Sequence, residues 1–432
     1  MLALFSPVQA RASLFEYWGF SPRAVAMSGA LTAEANDFSA VFYNPAMLVL
    51  SDEVNVGVAF DLTRTDAWVT PRSLDKALDC TYCAPDGAAM GVDLGLLVPL
   101  GGKLKNRLAV GVGMHLPTNN LVAIRSADPK RPFWYQWHNS PDRLVVFLGA
   151  GARITDHVTL GLGAQMLGDL TGTGADVRVD LFSKQATHRE VRSDLAAAIS
   201  PNAGLYWQAL PELRLGLSWR GEFKHQYVLP ADIYLEGVGL LALQVSGYNH
   251  YTPHSINLGA AWDPSADLTL AVDLSYQVWS TAPSPYTRIH VDLSGETLAA
   301  LGLDEAMDLD TLETDAPPGF EDTLSVRAGM EYRLSERFAA RGGLSFHPTP
   351  VPRQVQPGSN ILDSDALGVS GGFGWSFDDP LEVFEAPLIL DVAVRGIWFL
   401  PREAIKEDTD QVPSYDYASR VLGATVAFRY NF

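Results

Sequence analysis

Positive charge is scarce in this chain. Lys and Arg number 31 against 50 Asp and Glu, so the formal net charge is −19. Nucleic acid is thereby excluded as a partner, because neutralising phosphates needs a surplus of Lys and Arg. Charge of either sign is sparse, at 19% of residues against roughly 25% in soluble domains. Only two cysteines occur, Cys80 and Cys83. Their stretch carries Gly, Asp and Pro and reads as a loop, with no helix opening after a strand as a thioredoxin-like motif requires. A zinc site would need two more ligands nearby, so the pair reads as a loop disulfide of an oxidising compartment. No apolar run reaches the roughly 18 residues of a transmembrane helix, and long 3.6-period runs are rare. Hydrophobic residues make up 47%, which excludes disorder. A large β protein remains, either soluble or in an outer membrane.

What is present is alternation with a period of two. Val54, Val56, Val58, Phe60 and Leu62 share one face against Glu53, Asn55, Gly57, Ala59 and Asp61. Leu268, Leu270, Val272, Leu274 and Tyr276 alternate with Thr269, Asp273, Ser275 and Gln277. Short turns at 101–106, 154–157, 209–212, 263–267 and 335–337 interleave with long connections at 63–88, 117–142, 171–192, 230–247, 282–322, 348–364 and 401–418. An outer-membrane barrel has this rhythm, with tight turns on one side and long loops on the other; a soluble sandwich has no reason for it.

About fourteen strands are expected: 53–62, 89–100, 107–116, 143–154, 157–168, 194–208, 213–229, 248–262, 267–281, 323–334, 338–347, 366–377, 388–400 and 419–432. The fold class is therefore an all-β, transmembrane antiparallel barrel. An even number lets the first and last strands close and removes edges that lipid forbids. Trp207, Trp219, Trp262, Trp375 and Trp398 fall near strand ends, as interfacial girdles do. The chain ends in Phe432 after alternating apolar residues, which resembles the signal read by the barrel-assembly machinery.

Three regions follow. Residues 1–12 read as the remnant of a signal peptide, with Ala10-Arg11-Ala12 as an A-x-A cleavage site. Residues 13–52 do not alternate and are expected to form a compact N-terminal hatch filling the lumen, which a barrel of this size would otherwise leave open to water. Residues 53–432 form the barrel and its loops.

The hatch residues carry a resemblance. Gly19-Phe20-Ser21-Pro22-Arg23-Ala24, then Ala35-Asn36-Asp37, then Asn44-Pro45-Ala46 resemble the hatch of the FadL family of outer-membrane long-chain fatty acid transporters. Asn36 stands where the family pattern has Asp. Leu217–Lys224, Tyr276–Ser280 and Pro348–Pro352 echo the same family.

The resemblance implies passive transport of hydrophobic molecules, first of all long-chain fatty acids, across a bacterial outer membrane. Outer loops capture the ligand, the lumen binds it, the hatch rearranges, and a gap in the wall near a kinked third strand allows lateral exit. Asn44, Pro45 and Ala46 would sit at that gap, where Pro withholds an N–H from strand pairing. Phe15, Tyr17, Trp18 and Phe20 would line the pocket from the hatch. Phe133 and Trp134, with Tyr135 and Trp137, would form one outer wall. Asp232 to Leu243 reads as a short apolar helix offering the other. A buried carboxylate needs a cation, for which Arg178 and Arg288 are the candidates. If neither faces the pocket, neutral aromatic or aliphatic hydrocarbons become the ligands.

No cofactor, catalytic residue or metal site is expected. The acidic stretch 292–322 lacks EF-hand spacing, and no G-x-S-x-G elbow occurs. The rival classes are a barrel enzyme, a non-specific porin, and an adhesin or structural barrel. The expected partners are hydrophobic small molecules, outer-membrane lipid and lipopolysaccharide, and the assembly machinery, with the chain monomeric.

Overall fold

A computed structural model describes residues 19–73, 87–118, 128–134, 144–180, 185–235, 238–300, 302, 307–308, 319–379, 385–407 and 412–432. Among these, fourteen strands close a ring: β1 (Asn55–Pro71), β2 (Gly87–Pro99), β3 (Leu108–Pro117), β4 (Val145–Arg153), β5 (Val158–Asp180), β6 (Gln185–Leu210), β7 (Leu213–Arg220), β8 (Ser255–Ser265), β9 (Leu268–Gln277), β10 (Thr323–Ser335), β11 (Phe338–His347), β12 (Ala366–Phe377), β13 (Leu388–Ala404) and β14 (Tyr415–Asn431). Each ring strand pairs antiparallel with the next. The ring shuts where β1 meets β14 from Asn55↔Asn431 to Pro71↔Tyr415.

The side-chain alternation is inside out relative to a soluble protein. Phe60, Leu162, Leu258 and Val394 point outward and are exposed. Asn257, Asp273, Ser275, Asp391 and Arg395 point inward and are buried. In water this arrangement would forfeit the hydrophobic term that drives folding; against lipid tails it is the stable one. Exposed tryptophans mark the two borders of the apolar band. Trp207, Trp262 and Trp375 lie toward the short-turn end, and Trp68, Trp219 and Trp398 toward the long-loop end.

Three expectations need correction. Within 232–243, residues 232–235 and 239–243 are strand, not helix. They belong to a hairpin, Phe223–Leu235 with Gly239–Thr252, which continues the register of β7 and β8 beyond a break at Gly221–Glu222 and Pro253–His254. Ala231–Leu235 pairs in parallel with Ala175–Val179 of β5. That edge of β5 has outrun β4, and its backbone groups take this partner where a helix would supply none. Second, 171–192 is largely strand: β5 and β6 stay paired from Val158↔Trp207 to Asp180↔Gln185. β1 likewise runs on to Pro71. Third, no gap opens beside β3. The β3–β4 ladder runs from Leu108↔Ala152 to His115↔Val145 and the β4–β5 ladder from Val145↔Leu167 to Arg153↔Thr159, both without register shifts. Residues 1–18, with the proposed cleavage site, and Cys80 and Cys83 lie outside the described residues.

Candidate ligand path through the hatch and the outer cap

Residues 20–49 are nearly all buried inside the ring. Ser21 opens α1 (Pro22–Ala26), with Pro22 at the first helical turn, where its missing N–H costs nothing. A chain turn leads to α2 (Ala40–Tyr43). A 3₁₀ turn, Pro45–Leu50, then delivers the chain to β1, and Asn44 caps it by accepting from the Ala46 amide at 3.1 Å.

Two kinds of contact seat this hatch. The first is steric. A Cβ added to Gly161 of β5 would lie 2.1 Å from the Ala46 nitrogen, and one on Gly95 of β2 would lie 1.9 Å from the Phe38 ring. Only glycine lets the hatch touch the wall there. Polar bonds finish the fit: Thr159 Oγ1 donates to the Ala46 carbonyl at 2.7 Å, and Asn44 Nδ2 donates to the Leu205 carbonyl at 3.1 Å. Asn44, Pro45 and Ala46 are therefore seated against β5 and β6.

The second contact is a chain of buried ion pairs. Asp263 meets Arg214 at 2.7 Å and Arg214 meets Glu34 of the hatch at 2.8 Å. Glu34 meets Arg23 at 2.8 Å, and Arg23 reaches Glu331 of β10 at 2.9 Å. Through Arg341 (2.6 Å), Asp391 (2.5 Å) and Arg429 (2.5 Å) the chain returns to hatch residue Asp37 at 3.5 Å. Between its two ends, Asp263 and Asp37, each charge of the chain has an opposite charge on both sides, the condition under which desolvation is tolerated. Arg220 adds a donor to the Phe42 carbonyl at 3.3 Å, and Arg395 one to the Val25 carbonyl at 3.3 Å.

Above the hatch, toward the long-loop end, two loops are pinned together. Phe133 and Trp134 pair in parallel with Ile361 and Leu362. Asn360 is the junction: its side-chain amide donates to the Pro129 carbonyl at 2.7 Å and the Pro357 carbonyl at 2.6 Å, and its Oδ1 accepts from Tyr415 at 2.9 Å. Phe133 packs with Tyr251, Trp279, Tyr286 and Phe320. Trp134 packs with Phe399 and Tyr417, ring centroids 6.0 and 5.4 Å away. The Tyr251 hydroxyl is engaged with Thr281 at 2.8 Å, and Trp279 Nε1 donates to Gln277 at 3.3 Å. An outer cleft of about 580 Å³ opens at the hairpin tip between Tyr234, Leu235, Val238, Leu240 and Gly295–Thr297.

Two buried charges sit in this cap. Asp363 is pushed up to about 7 by burial, although Thr349 donates to it at 2.7 Å. Lys406 is pushed down to about 7 by burial, with its ammonium donating to the Gln356 carbonyl at 3.1 Å and the Ser359 carbonyl at 2.5 Å.

The expected site residues fall as follows. Phe20 lies in the hatch core, its ring 5.5 Å from Phe38 and 5.1 Å from Phe147. Phe15, Tyr17 and Trp18 lie outside the described residues, as do Tyr135 and Trp137. Phe133 and Trp134 are buried in the cap. Arg178 stands near the outer end of β5, opposite His188; its side chain is outside what is described. Arg288 opens a short outer strand, Arg288–Ser294, and its side chain is exposed. Sequence reasoning missed Arg214, Glu331, Arg341, Asp391 and Arg429. Their signal was a full charge at inward positions of strands whose other face meets lipid, which marks interior partners.

Comparisons with known proteins agree with this architecture. The family described as "Outer membrane protein transport protein (OMPP1/FadL/TodX)" matches residues 6–432. Alkane uptake protein A of Marinobacter nauticus is 22% identical over 381 residues, covering 84% of this chain and 78% of that protein. A Pseudomonas aeruginosa FadL homologue superposes with a TM-score of 0.60 at 14% identity, covering 98% of each chain. The toluene transporter TbuX of Ralstonia pickettii gives 0.56 at 17% identity, covering 97% of this chain and 100% of the other. The monoaromatic hydrocarbon channel CymD gives 0.58 at 14% identity, covering 97% and 99%.

Proposed function

The chain belongs to the OMPP1/FadL/TodX family of outer-membrane transport proteins, and on that premise we propose that it carries neutral hydrocarbons passively through the bacterial outer membrane. The observation that carries this reading is the outer cap. Around Phe133 its surfaces are aromatic and aliphatic, the polar tips of Tyr251 and Trp279 are spent on Thr281 and Gln277, and the nearby cations Lys224 and Lys406 are engaged with Glu222 and with the Gln356 and Ser359 carbonyls. A hydrocarbon asks nothing more of such a surface, whereas a carboxylate would need a cation or several donors. Arg288, expected to supply one, is exposed on an outer strand. Arg220 and Arg395 give donors to hatch carbonyls. The relatives named for alkane uptake, toluene transport and monoaromatic hydrocarbon passage support the same class.

In this reading the ligand is caught at the outer loops, passes between Phe133 and its aromatic neighbours, and waits above the hatch. The hatch then yields. The wall beside Asn44-Pro45-Ala46, from β4 to β6, is paired without a break there, so lateral exit at that place requires a ladder to part. The ion-paired segment within the ring supports a gated path over an open pore. The test is uptake of labelled toluene, hexadecane and oleate by proteoliposomes holding the full chain. Faster entry of the hydrocarbons, without saturable oleate binding, is the expected result. Saturable oleate binding with no hydrocarbon uptake would return the assignment to fatty acids.

A further inference from the structure

Three residues that the transport reading leaves unused meet on the inner face of the wall. Asp61 of β1, Asp93 of β2 and His115 of β3 bring a carboxylate oxygen, a carboxylate oxygen and a ring nitrogen within 4.8 Å of one another. The register places them together: Asp61 lies opposite Gly91, and Asp93 opposite His115. His115 Nδ1 stands 2.7 Å from Asp93 Oδ1. Asp93 is 1% exposed; its Oδ2 makes no well-formed hydrogen bond among the described residues, with the Asp61 side chain and the Ser21 backbone close to the carboxylate. The backbone makes room for the group. A Cβ on Gly91 would fall 2.4 Å from the His115 ring, so any larger residue there would push the imidazole from its present position. The floor beneath is apolar, with Phe38 against Gly95 and Phe20 against Gly113.

We propose that Asp61, Asp93 and His115 form a binding site for one divalent first-row transition ion, zinc being the probe, on the luminal side of the hatch. Asp93 is buried and Asp61 and His115 are half-buried beside it, so the negative charge of two adjacent carboxylates would be compensated by a bound cation. The donor set, one nitrogen and two oxygens, suits zinc or a neighbouring divalent ion. Ligand atoms around a tetrahedral zinc stand about 3.3 Å apart, a contraction that side-chain rotation reaches. Three protein ligands leave a position for water from the lumen. A bound ion would clasp β1, β2 and β3 where Phe20 abuts them, and so stiffen the wall against which the hatch starts.

The experiment uses the tag-free full chain in detergent, stripped with chelator, incubated with zinc and desalted. Elemental analysis is expected to find about one zinc per chain. Retention should fall at least about tenfold in Asp93→Asn and in Asp61→Asn. His157→Gln, on a short turn far from the cluster, should leave it unchanged. His115→Asp keeps a ligand at the position and should retain most of the metal. Heat-modifiable migration on gels checks that each variant is a folded barrel. Cobalt in place of zinc should give visible d–d absorption that Asp93→Asn abolishes. Two results would overturn the proposal. One is equal zinc retention in wild type and Asp93→Asn. The other is no retention in wild type together with an infrared band of a protonated carboxyl that Asp93→Asn removes, which would mean that the two carboxylates share a proton.

Discussion

Replacing Gly161 by alanine is a test of whether the hatch is held by contact with the wall. The added methyl would lie 2.1 Å from the Ala46 nitrogen and 2.2 Å from the Pro45 carbonyl carbon, both backbone atoms that no rotamer change can move. Ordinary contact needs roughly 3.4 Å or more, so the hatch must retreat by about 1 Å or β5 must bow outward. Retreat stretches Thr159 Oγ1→Ala46 O, now 2.7 Å, and Asn44 Nδ2→Leu205 O, now 3.1 Å. Two such bonds at about 0.5–1.5 kcal/mol each, with about 1–3 kcal/mol of overpacking, give about 2–6 kcal/mol against the seated hatch. Even the lower value raises the displaced population about 30-fold. The barrel itself is spared, since alanine is at least as good as glycine in a strand. The assay is single-channel conductance in planar bilayers, with hydrocarbon uptake in parallel. Gly161→Ala should show frequent openings, and Gly342→Ala should behave as wild type, because its Cβ would meet nothing closer than 3.9 Å. If both variants conduct alike, wall contact does not hold the hatch and the reasoning is wrong.

Arg23→Ala takes from Glu34 and Glu331 the arginine they share and leaves each one partner, Arg214 and Arg341; a loss of at most about 3–5 kcal/mol is expected, read as a lower thermal midpoint together with a leaky pore. Asn360→Ala removes the junction of the two cap loops. Amide exchange over 128–134 and 357–363 should accelerate at least about tenfold, while the barrel strands remain protected. The cap should also respond to pH in both directions. Asp363, raised from 3.8 to about 7, contributes stability that is full below pH 3.8 and lost as pH rises through about 7. Lys406, lowered from 10.5 to about 7, contributes stability that is full above pH 10.5 and lost as pH falls through about 7. Cap opening, read as amide exchange divided by the intrinsic base-catalysed rate, should therefore be greatest near pH 7, with Asp363→Asn flattening the acid limb and Lys406→Met the alkaline limb; a corrected profile without a maximum would contradict this.

Much of the architecture was legible in the sequence because barrel strands declare themselves locally. A strand that meets lipid on one face and a polar interior on the other must alternate, so Val54–Leu62 and Leu268–Gln277 were readable one residue at a time. Short turns were equally local. The misreadings fell where partners were not local. Residues 232–243 are apolar at spacings that suit a helix or a strand, and what decides between them is the free edge of β5 at Ala175–Val179, more than fifty positions away.

The hatch motif was visible as a motif, yet its working parts were half hidden. Arg23 and Asp37 stand inside it, but their counter-charges Glu331, Arg341, Asp391 and Arg429 come from strands distributed over the last third of the chain. Likewise Asp61, Asp93 and His115 are separated by 32 and 22 positions and share no spacing rule. Alternation, turn rhythm and composition determined that this chain is a lipid-facing barrel with a separate N-terminal segment, because those features follow from each residue's own environment. Which charges neutralise one another, which glycines admit the hatch, and which loops close over the lumen were decided only by the ring. Closing fourteen strands brings inward side chains from distant segments to within hydrogen-bonding distance, and no linear pattern encodes that proximity.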